Sequence, residues 1–160
     1  MTAPSTYQGL ETFQFGDGPE LADRLAALVV AGVKTGSCSA AVHVPDTEVG
    51  ARQVCLNSAG TPVCEIQTVS LQTLAFDAVT PEMAALEGEG DLSYRFWRDV
   101  HIEFYKREGT WQPDMDVIFE VFRVTRILDD AFAAASETAI KTERAEAYAK
   151  GYTALGGDHG

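Results

Sequence analysis

Apolar positions recur along the chain in two rhythms, one helical and one strand-like. In "GDGPELADRLAALVVAG", Leu21, Leu25, Leu28 and Val29 form one stripe, Pro19 takes the first helical position, acids sit in the first turn and Gly32 is placed to end the run. This predicts a helix, followed by a strand in "SCSAAVHV". The stretch "RQVCLNSAGTPVCEIQTVSL" reads as a β-hairpin bent at Ser58 to Thr61, a register that sets Cys55 roughly opposite Cys64 as buried neighbours.

Further on, "VTPEMAALEGEGD" predicts a short helix with Thr80 as its cap and Pro81 after it, broken by Gly88 and Gly90. A longer helix follows in "DLSYRFWRDVHIEFYKREG", with Trp97, Val100, His101 and Phe104 at i, i+3, i+4 and i+7. His101 on that stripe reads as a satisfied core residue. "MDVIFEVFRVTRIL" alternates as a late strand returning to the sheet, and the alanine-rich stretch beyond it predicts a helical appendix with a loose end. That appendix either packs on the domain or mediates self-association; the oligomeric state is not legible. A helix, several short strands, a helical excursion and a final strand indicate an α+β fold with a strongly bent or barrel-like sheet.

Length and composition support this picture. The 160 residues, 46% hydrophobic, suffice for one core and are too few for two ordinary domains. No apolar run approaches the ~20 residues that span a bilayer, so no membrane partner is expected. "MTAPSTYQGL" lacks the positive start and apolar stretch of a secretory signal, which gives a cytoplasmic expectation. The three cysteines, Cys38, Cys55 and Cys64, have no metal-ligand spacing and read as reduced thiols.

Charge narrows the partners. The formal net charge is -12, and residues 1–127 alone carry nine Lys and Arg against eighteen Asp and Glu. A long polyanion is repelled by such a surface, whereas a small neutral ligand in a pocket is not. The best basic track, Arg95, Arg98, Lys106 and Arg107, is matched on its own helix by Asp91, Asp99, Glu103 and Glu108. Pairs such as Arg95 with Asp99 and Glu103 with Arg107 have i,i+4 spacing.

The candidate chemistry centres on "AGVKTGSCSA". By itself Lys34 is a cation just past a helix end, where it suits the terminal carbonyls. Shielded from water it loses affinity for its proton and can serve as a general base toward a hydroxyl such as that of Ser37. In a regular strand, positions three apart face opposite ways, so the pair is useful only if the chain is irregular there, and Gly36 is the residue able to permit that. An orienting acid could come from "LEGEGD", where Glu87, Glu89 and Asp91 fall within five residues, either as solvated turn residues or as the lining of a pocket mouth.

Taken together, "FGDGPELAD", "AGVKTGSCS", "VCEIQTVSLQTLAFDAVT", "EGEGDLSYRFWRDVH" and "FEVFRV" strongly resemble the ASCH-domain family over about Phe13 to Ile127. The resemblance implies a PUA-like β-barrel with flanking helices. It divides the chain into an N-terminal arm (1–12), the ASCH domain (13–128) and a C-terminal helical extension (129–160). It further implies a small-molecule amidohydrolase that removes acyl groups from N4-acylated cytidine, with Lys34, Ser37 and Glu87 as catalytic residues. Ser37 stands where that pattern has threonine. Lys34, neutral when buried, would take the proton of Ser37, and Glu87 would hold the lysine or the cytosine edge; no metal or organic cofactor is needed. Candidate substrate contacts are Phe15, Asp17, Thr35, Glu89, Asp91, Trp97 and Arg98. Phe15 and Trp97 are the aromatic platforms, although Trp97 also begins the apolar stripe of its helix, and Asp17 is first a helix cap. Other branches of the family imply the alternative, an RNA-binding protein or ribonuclease.

Overall fold

A computed structural model describes residues 6–16, 18–43 and 47–152. The first helix, α1, runs over Pro19–Val30 behind two short strands that the pattern does not signal, β1 (Thr6–Tyr7) and β2 (Leu10–Phe13). Gly32 adopts a left-handed conformation just past the helix, as expected of a C-terminal stop. The buried face is broader than the four-residue stripe: Ala22, Ala26, Ala27 and Val30 join Leu25, Leu28 and Val29, whereas Leu21 is exposed.

Strand β3 (Gly36–Ala40) is shorter than "SCSAAVHV" suggests, turning at Ala41; Val44 lies outside the described residues. Strands β4 (Arg52–Leu56) and β5 (Pro62–Ala75) form the expected hairpin, with Cys55 directly across from Cys64 and both fully buried. Helix α2 (Pro81–Leu86) starts where Thr80 accepts a hydrogen bond from the Met83 N–H at 3.1 Å. Helix α3 (Tyr94–Glu108) begins at a Ser93 cap and ends at Gly109. Strand β6 (Asp116–Ile127) and helix α4 (Asp130–Ala149) complete the chain.

The six strands form one sheet in the order β1-β2-β4-β5-β6-β3. Among the described residues β2 with β4 is the only parallel strand pair. Register shifts at Glu65/Ile66 and Thr68/Ser70 interrupt the long β5–β6 ladder, and bulges of this kind bend and twist the strands that carry them. The α+β, barrel-like expectation holds, with the correction that the sheet does not close: β1 and β3 remain edges.

Two apolar clusters hold the layers together. One, including Cys38, Phe76, Trp97, Tyr105, Val117 and Phe119, joins the sheet to α2 and α3. The other, including Val29, Cys55, Val63, Cys64 and Phe122, joins it to α1, and Phe132 and Ala133 of α4 pack against its margin. Helix α4 therefore docks on the domain. Arg24 of α1 bonds Glu143 and Glu146 of α4 at 2.9 and 3.0 Å. Among the described residues no helix is long and apolar enough to cross a membrane.

Candidate functional site

Backbone geometry turns Lys34 inward. The Val33 and Lys34 N–H groups both donate to Leu28 O, folding the chain back under the end of α1. Thr35 N donates to Leu86 O at 2.7 Å, which ties the start of β3 to the end of α2 and sets Glu87 beside Lys34. Gly88 then passes so close to this segment that a Cβ there would lie 2.6 Å from Val33 O, and its φ of +72° is one that side chains disfavour.

The result is a buried ionic cluster. Lys34 and Glu87 are each 2% exposed, and Lys34 Nζ donates to Glu87 Oε1 at 3.1 Å, Glu89 Oε2 at 2.7 Å and Gly36 O at 3.0 Å. Glu87 Oε2 accepts the Trp97 indole N–H at 2.6 Å and lies 3.2 Å from His101 Nε2. His101 Nδ1 sits 2.7 Å from its own helix carbonyl, Trp97 O. Both imidazole nitrogens thus face acceptors, an arrangement that suits the doubly protonated ring. Tyr105, behind His101, donates to Cys38 O at 3.2 Å.

Electrostatics follow from these contacts. Burial alone would push the Lys34 ammonium down, but the Glu89 and Glu87 carboxylates outweigh it and hold it above the ordinary lysine range. Burial likewise works against ionised Glu87, yet His101 and Lys34 prevail and lower its pKa to about 2. For Glu89 burial prevails, helped by the charge of Glu87, and the carboxyl titrates above its usual range despite Lys34. His101 is lowered by burial and raised more by Glu87, for a net upward shift.

These groups border a cavity of about 660 Å³. Seven glutamates line it against four Lys and Arg side chains, so the space is acidic. The Ser37–Ser39 edge of β3, Phe15 and residues of α1, α3 and α4 supply the other walls.

Several site expectations change. The expected neutral lysine is instead an ion-paired ammonium, because the two acids sit within hydrogen-bond reach of it. Ser37 borders the cavity as expected, but it lies in the regular strand β3, and an alternating burial pattern already begins at Lys34. Lys34, Gly36, Cys38 and Ala40 are buried in alternation with half-buried Thr35, Ser37 and Ser39, and Ser37 pairs with Glu120. No hydrogen bond joins its side chain to Lys34 among the described residues. Gly36 serves close packing rather than a bulge, since a Cβ there would meet the Phe119 ring at 2.9 Å.

Phe15 and Glu89 are at the cavity, and Lys34 Nζ lies 5.7 Å from the Phe15 ring centroid. Trp97 is not a platform: it is buried between the Phe76 and Tyr94 rings, with its indole N–H committed to Glu87. Arg98 is drawn off to Asp77 at 2.7 Å and the Phe76 ring. Thr35 is spent on Leu86 O, and Asp91 accepts from Ser93 N at the start of α3, so neither lines the cavity. Asp17 lies outside the described residues. His101 is the buried, satisfied residue its stripe predicts, and in addition it borders the cavity beside Glu87, a place that its i+4 spacing from Trp97 does not announce. Reading the sequence missed Arg24, Glu143 and Glu146, for which no local signal exists.

The family model described as "ASCH domain" matches residues 11–126. The crystal structure of an ASCH domain from Lactobacillus crispatus JV V101 superposes with a TM-score of 0.67 at 31% identity, covering 72% of this chain and 79% of that one. A protein from Enterococcus faecalis V583 gives a TM-score of 0.64 at 25% identity, covering 80% of this chain and 84% of that one. No curated protein gives a significant match.

Proposed function

Because the chain belongs to the ASCH domain family, a family associated with RNA binding or hydrolysis, we propose that it is a small-molecule amidohydrolase acting on N4-acylated cytidine or cytosine. One observation carries this reading: a buried ammonium, Lys34, held between two carboxylates on the wall of an acidic cavity. The cavity volume of about 660 Å³ falls in the range of small-ligand sites. Its surplus of acids disfavours a phosphorylated ligand and accepts an uncharged nucleoside or base.

The division of labour follows from the fixed and open sides of the cluster. Glu87 is anchored by Lys34, Trp97 and His101 and acts as the permanent counter-charge. Glu89 borders the cavity and is still 17% exposed. An incoming amide oxygen takes the place of Glu89 on Lys34, whose ammonium then stabilises the oxyanion. Glu89, with its elevated pKa, accepts a proton from the attacking water and passes it to the departing N4 nitrogen, giving carboxylic acid and amine. Ser37 is the alternative nucleophile, to be regenerated by water after acyl transfer.

The test offers purified protein N4-acetylcytidine and a structured RNA side by side. Deacetylation that is lost in both Lys34→Ala and Glu89→Gln supports the reading, and Ser37→Ala decides between water and serine attack. RNA cleavage or retention that falls steeply with salt, without deacetylation, overturns it. The helix cations favour the pocket over RNA. Arg98 is paired with Asp77, Arg107 with Glu103, and Arg95 lies over the Tyr152 ring.

A further inference from the structure

Helix α4 lies beyond the 11–126 region matched by the family, yet it holds the loop that carries Glu89. Arg144 Nη1 donates to Gly88 O at 2.8 Å and to Gly90 O at 2.7 Å. Glu143 Oε2 accepts the Gly90 N–H at 2.7 Å, while its other oxygen accepts from Arg24 of α1 at 2.9 Å. The residues on either side of Glu89 are thus gripped by two neighbouring side chains of one helix.

The loop has reason to need such a grip. Gly88 and Gly90 have φ of +72° and +61°, conformations glycine reaches easily and also leaves easily. The two acids of the Lys34 site differ in how they are held. Glu87 is fixed through its side chain by Lys34, Trp97 and His101. The Glu89 carboxylate has a single hydrogen-bond donor among the described residues, Lys34. Its position must therefore come from its backbone, and the backbone is set by Arg144 and Glu143.

We propose that Arg144 and Glu143 are positioning residues: helix α4 fixes the loop so that the Glu89 carboxylate meets Lys34, and so completes an ionic cluster whose members Lys34, Glu87, Glu89 and His101 lie within the family region. The bonds could instead serve only to attach the helix. However, α4 has separate attachments through Arg24–Glu146 and through Phe132 at the apolar cluster, so it stays docked without Arg144.

The two roles separate by NMR on ¹⁵N-lysine-labelled protein, reading hydrogen exchange at the Lys34 ammonium. Wild type should give a protected signal, since Gly36 O, Glu87 and Glu89 enclose the group. Arg144→Ala should speed its exchange about tenfold or more, the effect of deleting charge-assisted hydrogen bonds on a local opening equilibrium. Arg144→Lys should lie between, because an ammonium lacks the planar fork that spans two carbonyls. Phe132→Ala, which loosens the helix without touching the loop, should leave the exchange at the wild-type rate. Wild-type protection in Arg144→Ala overturns the proposal, as does equal loss of protection in Phe132→Ala. Should Arg144→Ala not fold, Arg144→Lys and Arg144→Gln carry the same comparison. No substrate is involved, so the outcome is independent of the amidohydrolase reading.

Discussion

Replacing Lys34 by methionine keeps most of the apolar stem and deletes the charge, leaving Glu87 and Glu89 facing a buried gap. Ion pairs at 2.7 and 3.1 Å represent roughly 5–6 kcal/mol each of gross attraction at an effective dielectric of about 20. Burying the ions consumes most of that in the wild type. The variant keeps the burial cost of the acids and loses the attraction, so K34M should lose about 3–5 kcal/mol of stability at neutral pH. The loss should shrink on acidification. Glu89 already titrates above its usual range, and without Lys34 it rises further, so the native state binds a proton before the unfolded state does. Adding Glu89→Gln to K34M should recover about 1–2 kcal/mol, since one stranded charge is gone and the two sites are in contact. Urea unfolding at pH 7 and pH 5 measures all three effects. A K34M loss below about 1 kcal/mol, or one that is the same at both pH values, refutes the buried ion-pair account.

Other outcomes follow from neighbouring contacts. Trp97→Phe removes an N–H from Glu87, so its carboxyl should titrate above the present value of about 2, seen by ¹³C NMR, with about 1–3 kcal/mol lost. His101 has a folded pKa raised above 6.5; its contribution is fully present below that pH and is lost as pH rises through the folded value. Stability should therefore decline on the alkaline side, and His101→Gln should flatten that slope in thermal melts recorded across pH. Gly88→Ala places a Cβ 2.6 Å from Val33 O at a φ of +72°, and should cost about 1–3 kcal/mol or more, measured by the same melts.

What was legible in the sequence was local. Pro19, Gly32, Thr80 and the Ser58–Thr61 bend each act within a few residues, so the helix ends and the Cys55–Cys64 register could be read directly. Lys34 and Glu87 could be paired only through the family resemblance. Sequence alone favours a neutral Lys34, because burial disfavours the ammonium, and only the fold brings Glu89 and Glu87 close enough to reverse that. Arg144 and Glu143 stand more than fifty residues from the loop they hold, as Gly88 O to Arg144 spans 56 positions, and nothing in an alanine-rich helix announces such a contact. The strands β1 and β2 were missed because two and four residues are too short to show a period.

The outer margin of β3 has a consequence for solubility. An unpaired strand margin is a template for another chain, and here two of its outward carbonyls are occupied, Gly36 O by Lys34 and Cys38 O by Tyr105. Lys34 and Tyr105 thereby also keep this margin from strand addition. Removing Lys34 leaves the buried Gly36 carbonyl without that donor, an unsatisfied polar group whose cost adds to the loss of the ion pairs.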